Sequence, residues 1–77
     1  MKTNIIIFGQ LTDITGNNKL ELHNIADTDS LVKELTKTYP ALSSIKFMIA
    51  VDKKLITENT LLSNNNTIAL MPPFSGG

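Results

Sequence analysis

This chain lacks cysteine and tryptophan, has a single histidine, and carries no excess of charge of either sign. The absence of cysteine excludes disulfides, thiolate metal ligands and a thiol nucleophile. Lysine and arginine together number 7, as do aspartate and glutamate, so the composition indicates no nucleic-acid or anionic-membrane partner. The chain therefore offers few side chains for chemistry of its own.

Long hydrophobic runs are also missing. The apolar run at residues 5–8 is too short for a signal peptide or a transmembrane helix, so we expect a cytoplasmic protein with no membrane partner. The 77 residues predict one domain. A domain of this size buries only about 60% of its unfolded surface. Its hydrophobic residues, mostly isoleucine, leucine, valine and methionine, must therefore form the core alone.

The first half of the chain contains two strand patterns. Residues 5–8 are β-branched and aromatic and stop at Gly9, which is typical of a strand. A turn is predicted at residues 15–18, and residues 19–23 then alternate between polar and apolar side chains. We expect this second strand to run antiparallel to the first.

A helix and further strands are predicted downstream. Asp27 and Thr28 are both suitable N-caps, and Pro40 would stop the helix. Between them, apolar residues repeat at helical spacing: Leu31, Val32, Leu35 and Tyr39. The remaining pattern is an ambiguous connection at residues 41–46, a hairpin of residues 47–51 and 54–56, an asparagine-rich turn at residues 63–66 and a last strand at residues 67–71.

This order, β-β-α-β-β-β with one main helix, indicates an α+β fold of the β-grasp or ubiquitin-like type. In that arrangement a mixed sheet of four to five strands carries the helix on one face. Its first and last strands are parallel neighbours in the centre, joined by a long crossover. We therefore expect a β-grasp domain at residues 1–71 and an extended tail at residues 72–77.

The first and last strands are apolar on both faces. On each strand, alternate apolar side chains face the helix, and the ones between them point to the opposite face of the sheet. Ile6 and Phe8 of the first strand and Ala69 and Met71 of the last strand point to this second face, and Leu55 of the hairpin could join them. One helix covers only one face. We therefore predict an exposed apolar patch that acts as a protein interface. The alternative is that residues 41–46 fold over it.

Side chains suited to catalysis are scarce. Alternation places His23 beside Glu21 on a solvated strand face, which does not favour a role as general base or ligand. Asp27 and Asp29 are explained by helix capping. The glycines lack the spacing of a phosphate-binding loop. We expect no metal site, no bound cofactor and no active site within this chain alone.

The tail carries the strongest chemical signal. Pro72 and Pro73 favour an extended course because their φ angles are fixed and they lack N–H groups. Six residues can span roughly 20 Å, enough to reach into a partner's active site. The chain then ends in Gly76 and Gly77, which would let the terminal carboxylate enter a narrow channel. Joined to AMP by a partner, this carboxylate would become an acyl adenylate open to attack by a sulfur or amine nucleophile.

Four stretches carry a resemblance to a known family: residues 6–11, residues 35–42, residues 50–52 with Leu55, and residues 68–77. The most specific is the Pro-Pro-x-x-Gly-Gly ending. In these stretches the chain resembles the small subunit of molybdopterin synthase, the MoaD-type sulfur carriers of molybdenum-cofactor biosynthesis. Thr12 departs from the family, which often has a basic residue there. Asn64-Asn65-Asn66 departs as well, from a common Asp-Gly-Asp-like turn.

The resemblance implies two partner enzymes. An adenylyltransferase related to ubiquitin-activating enzymes would use ATP to adenylate Gly77, and sulfur transfer would then give a C-terminal thiocarboxylate. The carrier would bind the large subunit of the synthase, in a heterotetramer of two small and two large subunits. There its tail would enter the active site and donate sulfur to cyclic pyranopterin monophosphate.

The resemblance also implies roles for particular residues. Gly77 matches the acceptor glycine and Gly76 the flexible penultimate one. The hydrophobic positions expected to face the partner are Phe8, Leu55, Met71, Pro72, Pro73 and Phe74, the last being bulkier than the usual valine.

Three other hypotheses remain open. The chain could be the sulfur carrier of thiamine biosynthesis, although the Pro-Pro pair and the length favour the molybdopterin pathway. It could be a ubiquitin-like modifier ligated to lysines through Gly77, because the activation chemistry is shared. It could also be a plain interaction domain with an idle tail.

Overall fold

The computed structural model describes residues 1–73 of the chain. These residues form five strands, two α-helices and one 3₁₀ helix. In chain order they are β1 (Lys2–Ile7), α1 (Leu11–Thr15), β2 (Lys19–His23), α2 (Thr28–Thr38), the 3₁₀ helix (Pro40–Ser44), β3 (Met48–Val51), β4 (Lys54–Ile56) and β5 (Asn66–Met71).

The strands form one mixed sheet in the order β2-β1-β5-β3-β4. β1 pairs antiparallel with β2 and parallel with β5, while β3 pairs antiparallel with both β5 and β4. The parallel pair of first and last strands, with β5 at the centre, is the β-grasp arrangement. The α+β fold class predicted from the sequence is thus confirmed.

The region around β1 differs from the sequence prediction at both ends. β1 begins at Lys2 because polar residues before the apolar run also pair with β2, Lys2 with His23 and Thr3 with Leu22. The predicted turn at residues 15–18 starts one residue too early, since Thr15 still belongs to α1. α1 was not predicted, because a helix of 5 residues is too short to show a helical period. It ends at Thr15, and the C-cap residue Gly16 adopts a φ of 73°.

Helix α2 begins and ends where its capping residues predict. The Asp27 carboxylate accepts a hydrogen bond of 2.9 Å from the Ser30 N–H, which satisfies one of the open donors of the first turn. Asn59 adds a second cap, because its side-chain oxygen accepts from the Asp29 N–H at 2.9 Å. The helix stops at Thr38, two residues before Pro40.

The core lies between α2 and one face of the sheet. Alternate residues of the two central strands are buried on this side, and they pack against α2 and the connections: Ile5, Ile7, Leu11, Ile25, Leu31, Leu35, Leu42, Leu62, Ile68 and Leu70. The 3₁₀ helix contributes Leu42, which is 1% exposed, and it contacts α2 and α1. The segment at residues 41–46 therefore packs on the helix side, and the alternative that it folds over the second face is wrong.

The β3–β4 hairpin turns through two residues in the left-handed region. Asp52 has a φ of 48° and Lys53 a φ of 73°, which is the pattern of a type I′ turn. The predicted hairpin is confirmed, although β3 begins at Met48 rather than at residue 47. The asparagine-rich turn leads into β5 through Asn65, which has a φ of 67°.

Across residues 1–73, no helix has the length and apolar character needed to cross a membrane.

Candidate functional site

The sheet face opposite α2, called the open face below, is apolar at its centre. The burial pattern of β1 and β5 alternates strictly, so the residues between the core positions point away from α2. The register and this alternation place the following side chains there: Ile6, Phe8, Met48, Ala50, Leu55, Ala69 and Met71. No helix of residues 1–73 packs on these side chains, because α1, α2 and the 3₁₀ helix share the other side with the core.

One row of side chains crosses the open face. Strand pairing aligns Lys19 with Ile6, Ile6 with Ala69, Ala69 with Ala50, and Ala50 with Leu55. The two alanines lie between larger side chains, so the middle of the face forms a shallow depression. Such a surface can receive apolar side chains of another protein.

Of the residues predicted to contact a partner, Phe8 and Met71 lie at the end of this face where β1 and β5 finish, whereas Leu55 lies on the edge strand β4. Phe8 is 47% exposed and Leu55 is 44% exposed, which is high for side chains of their size. Phe8 lies one residue beyond β1, but its N–H donates to the Leu70 carbonyl at 3.0 Å, so the pairing with β5 continues there. Met71 is half-buried and ends β5. Their role as a partner interface stays a prediction.

Met48 and Ala50 belong to the open face and were not predicted to do so. Met48 aligns with Met71, and Ala50 aligns with both Ala69 and Leu55. Their place on the open face follows from the register between β3 and β5, two segments that are far apart in the chain. Alternation within a single strand does not reveal that register.

Polar side chains border the open face along β2. Glu21 lies 3.4 Å from the Lys2 ammonium and 2.9 Å from His23 Nε2. The hydrogen bond with His23, reinforced by Lys2, holds the pKa of Glu21 below its ordinary value. His23 and Glu21 are both exposed, in agreement with the solvated strand face predicted for them. This cluster is a charged rim of the open face.

The base of the tail leaves the sheet next to Gly9. Pro72 is half-buried and Pro73 is exposed. Gly9 has a φ of 60°, and a Cβ atom built on it would lie 2.9 Å from Pro72 Cγ. Phe74, Gly76 and Gly77 lie outside the described residues, so their predicted roles and the predicted tail at residues 72–77 remain predictions.

Within residues 1–73, no cluster of three or more histidine, aspartate and glutamate side chains could hold a metal ion.

Comparison with known proteins gives the same picture of the fold. The ThiS family model matches residues 5–77. The molybdopterin synthase sulfur carrier subunit of Mycobacterium tuberculosis is 28% identical over 82 aligned positions, which cover 100% of this chain and 99% of that protein.

Two solved structures are similar over nearly the whole chain. Small archaeal modifier protein 1 of Methanosarcina acetivorans has a TM-score of 0.85 at 24% identity, covering 99% of this chain and 96% of that one. A chain in the complex of subunits 1 and 2 of the molybdopterin-converting factor of Helicobacter pylori has a TM-score of 0.76 at 24% identity. That match covers 100% of both chains.

Proposed function

The chain belongs to the ThiS family, and on that basis we propose that it is the sulfur carrier and small subunit of a molybdopterin synthase. One observation carries the proposal: the family match continues from the β-grasp domain through Gly77, the residue whose carboxylate would carry sulfur. The full-length similarity to the Mycobacterium tuberculosis sulfur carrier subunit supports the choice of pathway.

The proposed chemistry takes place at the Gly77 carboxylate. A ubiquitin-activating-type adenylyltransferase joins this carboxylate to the AMP of ATP and releases pyrophosphate. A sulfur nucleophile at the oxidation level of sulfide then attacks the acyl carbon and displaces AMP, which leaves a C-terminal thiocarboxylate. The thiocarboxylate sulfur then replaces an oxygen on a side-chain carbon of cyclic pyranopterin monophosphate, so a carbon–sulfur bond forms as a carbon–oxygen bond breaks. Water cleaves the acyl–sulfur bond, which regenerates the Gly77 carboxylate and leaves the sulfur on the product. Glycine suits this position because it leaves the carbonyl sterically open.

The open face supplies the binding part of the proposed function. It is apolar, no described helix covers it, and it lies beside the base of the tail, since Phe8 and Met71 border both. We propose that the large subunit binds this face and thereby holds the tail in its active site. The similarity to a chain of the Helicobacter pylori complex of subunits 1 and 2 supports a partner of this kind.

Deletion of Gly77 tests the proposed chemistry. The truncated protein should fold as the wild type does but transfer no sulfur, because its terminal carboxylate is one residue short of the acceptor position. Ser75→Ala is the control, since it keeps both the tail length and the terminal glycine. The measurement is formation of molybdopterin from cyclic pyranopterin monophosphate with purified large subunit and thiocarboxylated carrier. Sulfur transfer by the truncated protein would contradict the carrier function.

A ubiquitin-like protein modifier is the second candidate. The similarity to small archaeal modifier protein 1 favours it, because the same activated glycine would then be attacked by a lysine amine. Intact-mass analysis of the protein purified from its native cells separates the two functions. A terminal oxygen replaced by sulfur supports the carrier, and an isopeptide-linked conjugate supports the modifier.

A further inference from the structure

Gly9 lies next to Pro72, the first residue of the tail. A Cβ atom at Gly9 would lie 2.9 Å from Pro72 Cγ and 3.4 Å from Pro72 Cδ. Favourable contacts between carbon atoms begin at about 3.5 Å, so a side chain at Gly9 and the present position of Pro72 are incompatible. The φ of 60° at Gly9 adds a second reason for glycine here.

The Gly9 backbone is held in place from both sides. Just before it, the Phe8 N–H donates to the Leu70 carbonyl at 3.0 Å, which keeps the end of β1 paired with β5. Just after it, the Gly9 carbonyl accepts from the Thr12 N–H at 3.2 Å and from the Thr12 hydroxyl at 2.8 Å. A side chain added at Gly9 would therefore push against Pro72 while Gly9 itself stayed in place.

Pro72 is held differently. It has no N–H, so it cannot extend the hydrogen-bond ladder of β5 beyond Met71. Its ring is part of the backbone and cannot rotate away as a flexible side chain would. It also borders a cleft of about 320 Å³ lined by Leu11, Ile14 and other residues, so a displaced ring has room to move without unfolding the domain.

We infer that Gly9 is a positioning residue, which sets the direction in which Pro72 and Pro73 leave the sheet. The inference rests on the proposed function, because the direction of this stem decides where the Gly77 carbonyl arrives in the partner's active site. Displacement of Pro72 would be transmitted to Pro73, since two consecutive prolines form a stiff stem.

The chain offers a matched pair of variants for the test. Gly9→Ala and Gly16→Ala both place a side chain on a residue of positive φ, at 60° and 73° respectively. An added Cβ at Gly16 has no atom within 4 Å, whereas at Gly9 it meets Pro72. Backbone strain is therefore common to the two variants, and only the contact with Pro72 distinguishes them.

The first measurement is a single-turnover assay of sulfur transfer from the thiocarboxylated carrier at saturating large subunit. We expect Gly9→Ala to transfer sulfur roughly 10- to 100-fold more slowly than Gly16→Ala, because a displacement of about 1 Å at a reacting centre has effects of this size. The affinity of the two variants for the large subunit should be similar, since the open face is intact in both. A general folding defect would instead lower affinity and rate together.

A double variant identifies Pro72 as the cause. Pro72→Ala removes the Cγ and Cδ atoms that the new methyl group would meet. In the Pro72→Ala background, Gly9→Ala should slow transfer no more than Gly16→Ala does. A defect of Gly9→Ala that persists in that background would overturn the inference, as would equal rates for the two single variants.

A second measurement does not depend on sulfur chemistry. In NMR spectra of the wild type, nuclear Overhauser contacts should connect the Gly9 α-protons with the Pro72 ring protons. Gly9→Ala should shift the Pro72 and Pro73 resonances, and Gly16→Ala should leave them in place. If the wild-type protein transfers no sulfur, the proposed function fails. The NMR spectra then test the role of Gly9 by themselves, and unshifted Pro72 and Pro73 resonances in Gly9→Ala would reject that role.

Discussion

Asp52 is a residue whose importance comes from contacts with a distant segment. It lies in the hairpin turn between β3 and β4, where a charged residue is ordinary. Its carboxylate accepts a hydrogen bond of 2.8 Å from the Thr67 N–H and another from the Asn66 side chain. The Asn66 side-chain oxygen in turn accepts from the Ser63 N–H. This network ties the hairpin turn to the start of β5.

Asp27 acts locally, at the start of α2. It accepts from the Ser30 N–H at 2.9 Å and from the Asn59 amide at 3.2 Å. The hydrogen bonds from Ser30, followed by that from Asn59, hold the pKa of Asp27 below its ordinary value of 3.8. Because the carboxyl binds its proton less readily in the folded state, its stabilising effect is fully present above that value. The effect is lost as the pH falls through the folded-state pKa.

Replacing Asp27 by asparagine should therefore change the acid dependence of stability. Asparagine does not titrate and can still accept from the Ser30 N–H, but its amide nitrogen cannot accept from Asn59, so Asp27→Asn should be modestly less stable than the wild type at neutral pH. Below a pH of about 3.8 the free energy of unfolding should decline less steeply in Asp27→Asn than in the wild type. Urea denaturation at a series of pH values measures this.

The control for this prediction is Asp29→Asn. It removes a carboxylate from the same turn, one that accepts no hydrogen bond from its neighbours among residues 1–73. The free energy of unfolding of Asp29→Asn should follow that of the wild type more closely as the pH is lowered. Parallel profiles for Asp27→Asn and the wild type would contradict the assignment.

At the scale of elements, the two short helices differ from the long one. α2 has 11 residues, with capping residues and an apolar stripe that are visible in the sequence. α1 and the 3₁₀ helix have 5 residues each, and each is recognisable only from what it packs against. Leu11 and Leu42 from these helices complete the core beneath α2.

The 3₁₀ helix should contribute to stability through one side chain. Leu42 is 1% exposed, and Leu42→Ala should lower the free energy of unfolding by about 2–5 kcal/mol through lost burial and a residual cavity. Ile45, just after the same helix, is 40% exposed, and Ile45→Ala should have a clearly smaller effect. Chemical denaturation of both variants measures the difference. Equal effects would show that the segment does not pack as described.

At the scale of the molecule, one face of the sheet packs in the core, and no helix of residues 1–73 covers the other. The core uses alternate residues of β1 and β5 on the helix side, while the open face uses the residues between them. Because β5 lies at the centre of the sheet and ends at Met71, the open face continues directly into the base of the tail. Binding of a partner on this face would therefore also fix where the tail begins.

Charging the open face should weaken binding to the large subunit. Phe8→Asp or Met71→Lys places a charge in a surface that must lose water on binding, so we expect the Kd to rise at least about 10-fold, or about 1.4 kcal/mol. Leu61→Asp is the control, because Leu61 is 82% exposed and bridges to Asp27 at the start of α2, away from the open face. Isothermal titration with the large subunit measures the affinities, and a thermal melt verifies folding. Equal affinities for Phe8→Asp, Met71→Lys and Leu61→Asp would exclude the open face as the interface.

Much of the fold was predictable because its signals are local. The caps of α2, the alternation of β2 and the turn residues of the β3–β4 hairpin each act within a few positions. The patch residues Ile6, Phe8, Ala69 and Met71 could be proposed because two strands were apolar on both faces. Met48 and Ala50 could not, since their membership depends on how β3 aligns with β5.

The sequence by itself determined the β-grasp order of elements, the scarcity of catalytic side chains and the Pro-Pro-Phe-Ser-Gly-Gly ending. Composition and short-range patterns are sufficient for these. The tertiary structure alone decided three things. It placed Leu42 of the 3₁₀ helix in the core, linked Asp52 to the start of β5, and set Gly9 against Pro72. The physical reason is that each contact joins segments that come together only when the chain folds. The spacing of residues along the chain does not specify which distant segments will meet.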